Sequence, residues 1–514
     1  MEAPSEAPLS TRYQMGAVLG TGTFGVVYRA WDRVRGEPVA LKQLRRTTPH
    51  ALYRFKQEFR AVADMRHPNL VRLLELRSEG GEWFLAMELV EGVNFLDWVR
   101  EGVHSARADA TFVDSDASFP PVDAERAVPS AGSFAEPRLR EAFRQLAEGV
   151  AALHATGTLH RDLKPNNVLV TPEGRVVVLD FSLVTDIDAD EQSRAIGGTP
   201  LYMAPEHIEK VPLTAAADWY SVGVMLYEAL TGLRPFSCTR IEVLSQKSAT
   251  RPASPGQIVA DLPADLVALC DDLMEIDPEA RPSGAEVLVR LGATVAAPAM
   301  PTGRAPFVGR ANQLATLLDA LTLARSRPVV RVVEGPSGMG KSALVRHFLR
   351  SLPTTVVTAT GRCYQREAVR YKGVDSLVDG IARLLRQLPP EVQEAVAPRH
   401  GASLVRVFPV LGGVEKLSPR DLPAVDGLEE RRRAFQALRE LLGRMADRWS
   451  LALFVDDIQW SDGDSAALFA ELLRPPDAPP LLLLLACRRE ELDRNAVLSR
   501  LLMLTRDRSE EHTS

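Results

Sequence analysis

The stretch that most constrains this chain is His160-Arg161-Asp162-Leu163-Lys164-Pro165-Asn166-Asn167. It sets a carboxylate, a lysine two residues on and an amide five residues after the carboxylate into one polar loop. Upstream, Leu139, Phe143, Leu146, Val150 and Leu153 recur at helical spacing. Downstream, Val176 to Leu179 reads as a buried strand that ends at Asp180. The spacing has a chemical reason. A carboxylate can stand where a hydroxyl arrives, while an amide oxygen reaches a metal held by phosphates.

Other motifs stand in order around this loop. Gly20-Thr21-Gly22-Thr23-Phe24-Gly25 lies between the apolar runs Ala17-Val18-Leu19 and Val26-Val27-Tyr28. Such a glycine pattern is weak alone, because dinucleotide-binding folds use it too, but there it opens a helix. Here it joins two β-rich runs as a hairpin, and glycine lets backbone N–H groups come close to phosphates. Val39-Ala40-Leu41-Lys42 reads as the third strand. Leu52, Phe55, Phe59 and Val62 predict a helix from about Ala51 to Met65, with Glu58 bordering its apolar face. His67-Pro68-Asn69-Leu70-Val71 closes that helix, and strand-like Trp83 to Met87 leads to Glu88-Leu89-Val90.

Together these residues resemble the bacterial eukaryotic-like (Hanks-type) serine/threonine protein kinases over about residues 13 to 290, which implies a bilobal α+β kinase fold at 13–291. The resemblance implies that Asp162 accepts the hydroxyl proton, Lys164 contacts the γ-phosphate, and Lys42 pairs the α- and β-phosphates and Glu58. ATP would lie against Gly20, Thr21, Gly22, Thr23, Phe24, Gly25, Val26, Val27, Ala40, Met87, Glu88 and Val90, with Mg²⁺ held by Asn167 and Asp180. Asp180-Phe181-Ser182 departs from the family's Asp-Phe-Gly, and serine tolerates unusual φ less well than glycine. Gly198-Thr199-Pro200 through Ala204-Pro205-Glu206 closes the activation segment; Arg281 fits the arginine that pairs Glu206, and Asp218 the helix aspartate beneath the catalytic loop. Lys164 with Thr199 is the serine/threonine pattern. Arg161 marks a loop usually ordered by a phosphate. Thr185 and Ser193 are candidate phosphosites, with Asp186, Asp188, Asp190 and Glu191 beside them as carboxylates that could fill part of that role.

A flexible boundary, 292–306, leads to Phe307-Val308-Gly309-Arg310 and a helix carrying Leu314, Leu317, Leu318 and Leu321. Val329 to Val333 reads as a strand running into Gly335-Pro336-Ser337-Gly338-Met339-Gly340-Lys341-Ser342, a full Walker A pattern. Its N–H groups and helix N-terminus cradle phosphates, Lys341 reaches the β- and γ-phosphates, and Ser342 binds Mg²⁺. Leu451 to Val455 then runs into Asp456-Asp457, a Walker B reading that sets Asp456 in the Mg²⁺ shell and Asp457 near the attacking water. With Ile458-Gln459-Trp460-Ser461-Asp462, this half resembles the STAND signalling ATPases, relatives of the AAA ATPases. The resemblance implies that Arg310 borders the nucleotide and that Arg488, at the end of the strand Leu481 to Cys487, senses the γ-phosphate. It also implies a parallel sheet of order 5-1-4-3-2. Only four strands are visible, so the domain at 307–507 is expected to be incomplete, its Walker A strand an exposed edge. Arg508 to Ser514 back-translates to the start of a common sequencing adapter and is expected to be foreign.

The chain has 514 residues, enough for about three domains. With 46% hydrophobic and 25% charged residues it is ordinary globular material. A net charge of −6 argues against a generally nucleic-acid-binding surface. Cys238, Cys270, Cys363 and Cys487 lie far apart, as buried reduced thiols do, and form no metal or disulfide frame. The apolar run Leu481 to Ala486 is far short of the roughly 20 residues a spanning helix needs. Residues 1–12 read as an acidic, Pro-rich disordered tail, unlike a signal peptide, and 101–136 as a mobile insertion without period. The expectation is a cytoplasmic enzyme using ATP and Mg²⁺ to phosphorylate protein serine and threonine, itself included. It would be coupled to an ATP-binding module that also mediates self-association, with no membrane or nucleic-acid partner indicated. The alternative is a nucleotide-switched scaffold or transcription regulator with a silent kinase fold; the intact Lys42, Asp162, Asn167 and Asp180 speak against it.

Overall fold

A computed structural model of the chain describes residues 9–22, 25–45, 47–100, 134–181, 185–186, 200–207, 213–236, 247, 250–293, 309–417 and 427–492. It divides into two compact units, the first within residues 1–300 and the second holding residues 301–514.

The first unit opens with a short helix, α1 (Leu9–Arg12). Of the tail expected over 1–12, residues 9–12 are therefore helical and residues 1–8 lie outside the described ones. Arg12 is buried because it grips Asp32 at 3.1 and 3.3 Å and also reaches Glu75. The strands β1 (Tyr13–Thr21), β2 (Gly25–Asp32), β3 (Glu37–Leu44), β4 (Leu73–Glu79) and β5 (Glu82–Glu88) make a sheet in the order β1-β2-β3-β5-β4. One face buries Tyr13, Ala30, Val39, Leu41, Leu74, Phe84 and Ala86. Helix α2 (Pro49–Val62) starts and stops earlier than its apolar period indicates. Proline is at home in a first helical turn, and His67, which precedes Pro68, is biased away from helix.

The larger part of this unit contains β6 (Val93–Asn94), α3 (Phe95–Val99), α4 (Glu136–Ala155), β7 (Thr158–Leu159), β8 (Val168–Val170), β9 (Val176–Val178), β10 (Thr185–Asp186), α5 (Ala215–Thr231), α6 (Ala264–Leu273) and α7 (Gly284–Arg290). Leu139, Phe143, Leu146, Val150 and Leu153 form the buried stripe of α4, as their spacing predicts. Of the insertion expected at 101–136, residues 101–133 lie outside the described ones. Its last three residues are ordered: Phe134 bridges Arg100, and α4 begins at Glu136 with a proline in its first turn. Helix α5 is apolar almost all round and correspondingly buried, and it stops where Gly232 takes φ 73° and caps Glu228 O.

The second unit is a parallel α/β sheet. Helix α8 (Ala311–Leu323), β11 (Val329–Gly335), α9 (Lys341–Ser351), β12 (Val356–Arg362), α10 (Lys372–Gln387), α11 (Gly427–Ala446), β13 (Ser450–Asp456), α12 (Gly463–Leu472) and β14 (Leu482–Arg488) follow in sequence. The strand order is β11-β14-β13-β12, all pairs parallel, which is the 1-4-3-2 part of the expected sheet. Alternate residues of β13 and β14 face opposite cores. Ala452, Phe454, Leu482 and Leu484 join α8 and α9 on one side, while Leu451, Leu453, Leu483 and Leu485 join α10, α11 and α12 on the other. Among the described residues β11 is one of the two edge strands and only partly buried, whereas β14 is buried almost throughout. Cys270, Cys363 and Cys487 are buried free thiols; Cys238 lies outside the described residues. Among the described residues no helix is long and apolar enough to cross a membrane.

Candidate functional site

In the first unit the glycine segment is a hairpin. Gly20 pairs Val27, Thr21 pairs Val26, and Gly22 N donates to Gly25 O at 2.8 Å. Gly25 has no substitute, since a Cβ there would stand 2.3 Å from Gln43 O. Thr23 and Phe24 lie outside the described residues. On β3, Ala40 faces Met87 and Lys42 faces Leu85 of β5, and all but Lys42 are apolar. Glu88 and Val90, just beyond, are half-buried.

Lys42 is the junction of this region. Its Nζ lies 2.8 and 3.0 Å from the two Glu58 oxygens and 2.8 Å from Asp180 Oδ1. Helix α2 delivers Glu58 to a buried position, so both partners have left water. Burial alone lowers the Lys42 ammonium, and Asp180 and Glu58 outweigh it and raise it. Burial pushes the Glu58 carboxyl up to about 7 against the opposing pull of Lys42.

The polar loop hangs from α5. Asp218 accepts from His160 N and Arg161 N, both at 2.8 Å, and from His154 Nε2 at 2.8 Å. These contacts stabilise the turn in which Arg161 takes φ 68°. His160 is fully buried: its Nδ1 accepts from Asp162 N at 3.3 Å, so its Nε2 is the nitrogen that donates to Leu179 O at 2.9 Å. Lys164 Nζ stands 2.9 Å from Asp162 Oδ2. Asn167 Nδ2 donates to Asp162 O at 2.7 Å and to Asp162 Oδ2 at 3.1 Å. Leu179 N donates to Asn167 O at 2.8 Å, which brings Asn167 beside the turn at Asp180, where φ is 55°. Thus Asp162, Lys164 and Asn167 form one hydrogen-bonded group, and Lys42, Glu58 and Asp180 another. The pair Glu206–Arg281 closes at 2.6 and 2.9 Å. Thr185 and Asp186 pair with Leu159 and Thr158 as β10. Ser182, Asp188, Asp190, Glu191, Ser193 and Thr199 lie outside the described residues.

In the second unit the strand–loop–helix around residue 335 brings its glycines to φ values of 155° (Gly335), 80° (Gly338) and 77° (Gly340), conformations that side chains resist. Lys341 Nζ donates to Gly335 O at 2.8 Å and Pro336 O at 2.9 Å. Ser342 Oγ donates to Asp456 Oδ1 at 2.8 Å, which brings the two expected metal-shell residues together from α9 and β13. Arg310 reaches the same loop, donating to Met339 O and to Gly340 O. Ser337 is an exposed loop residue. Phe307 and Val308 lie outside the described residues.

Two residues here, Arg362 and Arg346, carry no motif, and they join Gln459 and Arg488, which the sequence singled out. Arg362, at the end of β12, holds Asp457 Oδ2 at 2.9 and 3.0 Å, and Gln459 Nε2 donates to Asp457 Oδ1 at 2.8 Å. Arg346 stands 3.2 Å from Asp456 Oδ2. Arg488 contributes its backbone, with N donating to Gln459 Oε1 at 3.4 Å. Arg362 and Arg346 sit in ordinary helix or strand contexts, and only the parallel register that sets Arg362 opposite Asp456 exposes the first of them.

Comparison with known proteins accords with both geometries. Residues 13–290 match the model of the protein kinase domain, and residues 306–484 match that of an AAA ATPase domain. Among curated proteins, the chain is 31% identical over 303 residues to serine/threonine-protein kinase PkaA of Streptomyces coelicolor, covering 55% of this chain and 50% of that protein. It is 30% identical over 278 residues to serine/threonine-protein kinase PknA of Mycobacterium tuberculosis, covering 52% and 56%. It is 31% identical over 306 residues to serine/threonine-protein kinase pkn2 of Myxococcus xanthus, covering 56% and 33%. The chain spans about half or less of the length of these relatives.

Proposed function

The chain belongs to the protein kinase family, and from that premise we propose that its first domain transfers the γ-phosphoryl group of ATP to serine and threonine hydroxyls of proteins. The observation that carries this reading is the pair of groups joined at Asp162 and Lys42. Asp162 takes the proton of the arriving hydroxyl. Lys164, 2.9 Å from that carboxylate, holds it and offers a positive charge to the transferring phosphoryl. Lys42, fixed by Glu58, is the cation for the α- and β-phosphates, which the hairpin at Gly20–Gly25 covers with backbone N–H groups. Asn167 commits its Nδ2 to Asp162, which leaves its Oδ1 for a cation, with Asp180 the second oxygen donor. Mg²⁺ held there would neutralise charge on the phosphates during transfer.

The second domain, in this reading, binds ATP or ADP at Gly335–Ser342 and switches the kinase in the manner of the STAND ATPases. Ser342 and Asp456 fit a Mg²⁺ shell, and Asp457, oriented by Arg362 and Gln459, faces hydrolysis. The reading places the protein in the cytoplasm with protein substrates, itself among them. The test is transfer of radiolabelled phosphate from ATP to a generic basic protein by the full chain, with Asp162→Asn and Lys42→Ala beside it. Transfer by the wild type and not by the variants supports the reading. Equal transfer by all three, or none by the wild type, overturns it and leaves a nucleotide-switched scaffold.

A further inference from the structure

Arg175 joins three separate segments of the first unit through one guanidinium. It stands in the turn between β8 and β9, where its own backbone is held: Thr171 N donates to Arg175 O at 2.9 Å, and Arg175 N donates to Thr171 Oγ1 at 3.3 Å. From this base its Nη2 and Nη1 donate to the two Glu88 carboxylate oxygens at 3.0 and 3.3 Å, while Nε donates to Pro68 O at 2.7 Å. A planar fork that meets both oxygens of a carboxylate fixes its direction as well as its distance, which a single point charge does not. The Glu88 side chain is 18% exposed and that of Arg175 39%, so the pair is partly shielded from water.

Glu88 is also held by its backbone. Its N donates to Arg72 O at 2.9 Å and its Oε1 accepts from Arg72 N at 3.0 Å, so the last residue of β5 is bound to the residue that precedes β4. Across the sheet it pairs in register with Val39, three positions before Lys42. Pro68 lies in the connector from α2, the helix that carries Glu58, and that connector is bound to the same hairpin as Arg175. There Asn69 Nδ2 donates to Val176 O at 2.8 Å, and Val178 N donates to Asn69 O at 2.9 Å. Strand β8 starts just after Asn167, and β9 ends just before the turn at Asp180. Arg175 therefore links the hairpin between Asn167 and Asp180 to the strand end where, in the kinase reading, the base of ATP lies. Adenine and guanine present opposite groups there: a 6-amino donor beside an N1 acceptor in one, a 6-oxo acceptor beside an N1–H donor in the other. Backbone groups tell the two apart only while they stay in register with that edge.

We propose that Arg175 is a positioning residue for the nucleotide: by clamping the Glu88 carboxylate it fixes the main chain at residues 88–90, and so sets both the affinity for ATP and its selection over GTP. The inference rests on the kinase reading above. It assigns Arg175 no contact with the nucleotide or the acceptor, and its effect passes through Glu88.

The test follows transfer of radiolabelled phosphate from ATP to a generic basic protein by the full chain, with KM for ATP, KM for the acceptor and competition by unlabelled GTP measured separately. Arg175→Met keeps the stem and removes the fork. Its ATP KM should rise by about threefold to tenfold, modestly because the pair is partly exposed, and GTP should gain on ATP by about threefold or more as a competitor. The acceptor KM should stay within about twofold. Arg175→Lys keeps the charge but cannot grip two oxygens and the Pro68 carbonyl together, so an intermediate ATP KM is expected. Glu88→Gln should act in the same direction as Arg175→Met, and the double variant should be no worse than the worse single one, since both remove one contact. If Arg175→Met does not fold, Arg175→Lys and Glu88→Gln decide by the same split. Unchanged ATP KM and GTP competition in the folded variants, equal rises in both KM values, or additive effects of the two substitutions overturn the inference and leave the kinase reading standing. A wild type that transfers no phosphate overturns both.

Discussion

Glu206 and Arg281, 75 positions apart in the chain, form a two-point ion pair at 2.6 and 2.9 Å with both side chains almost wholly out of solvent. Arg281 also donates to the carbonyls of Glu275, Ala216 and Ile276, so the guanidinium is fully engaged. Glu206→Gln leaves that cation buried without its counter-charge. The expected cost is about 3–5 kcal/mol of folding free energy, seen as a lower urea midpoint. A midpoint equal to wild type would contradict the pair's structural role.

Asp162→Asn should lower the rate of phosphoryl transfer by about 10²–10⁴-fold while leaving the ATP dissociation constant near wild type, because the carboxylate acts on the acceptor proton and not on nucleotide binding. Lys42→Ala should also abolish transfer, since Glu58 and Asp180 then lose the cation between them. Single-turnover kinetics alongside nucleotide titration separates the two effects.

The pH dependence of stability should carry the marks of two buried groups. Burial, reinforced by the Arg161 charge, holds His207 down at about 4 from its ordinary 6.5, and neither ring nitrogen has a hydrogen-bond partner among the described residues. The unfolded chain binds that proton first, so stability falls as pH drops from about 6.5 to about 4, with a slope of up to about 1.4 kcal/mol per pH unit. His207→Phe should flatten this limb. Asp218 adds a second, more acidic one. Burial alone would raise it, but hydrogen bonds from His154 and the His160 N–H hold it at about 2, so its contribution is present above its ordinary 3.8 and lost as pH falls through about 2. Urea midpoints across the pH range, for wild type and His207→Phe, measure both slopes.

The full chain should bind two equivalents of nucleotide, and Lys341→Ala one. The lost equivalent belongs to the loop whose carbonyls Lys341 now bridges. Equilibrium titration with a fluorescent ATP analogue counts them, and two equivalents in the variant would remove Lys341 from the site.

Asp457→Asn should keep that second equivalent but lower its hydrolysis by about 10²-fold or more. Phosphate release by the full chain carrying Asp162→Asn, which silences the first domain, reads this directly. Undiminished release would transfer the role from Asp457 to another group.

How far the sequence was legible depended on the reach of each contact. Glu58 could be read because α2 has an apolar period and the glutamate borders it, and the Walker A loop because strand, glycines and lysine are contiguous. The order of the four strands in the second unit followed from resemblance in the same way. Arg362 could not be read so: it meets the Asp457 carboxylate 95 positions distant, brought near only by folding. Arg12 reads as tail until Asp32 and Glu75 enclose it. Helices α10 and α11 carry no motif, although Val374, Leu377, Val378, Ile381 and Leu385 have a period that finds the first.

The place of β11 in its sheet bears on the order in which the protein is made. Val329 is paired in register with Leu482, so the strand that carries the phosphate-binding loop waits for β14 to leave the ribosome. The first unit, complete in sequence long before, folds as its own body while that strand is still unpaired. During synthesis the nascent chain therefore passes through a period with one nucleotide site assembled and the other not, and β11 is the segment that a chaperone has most reason to shield.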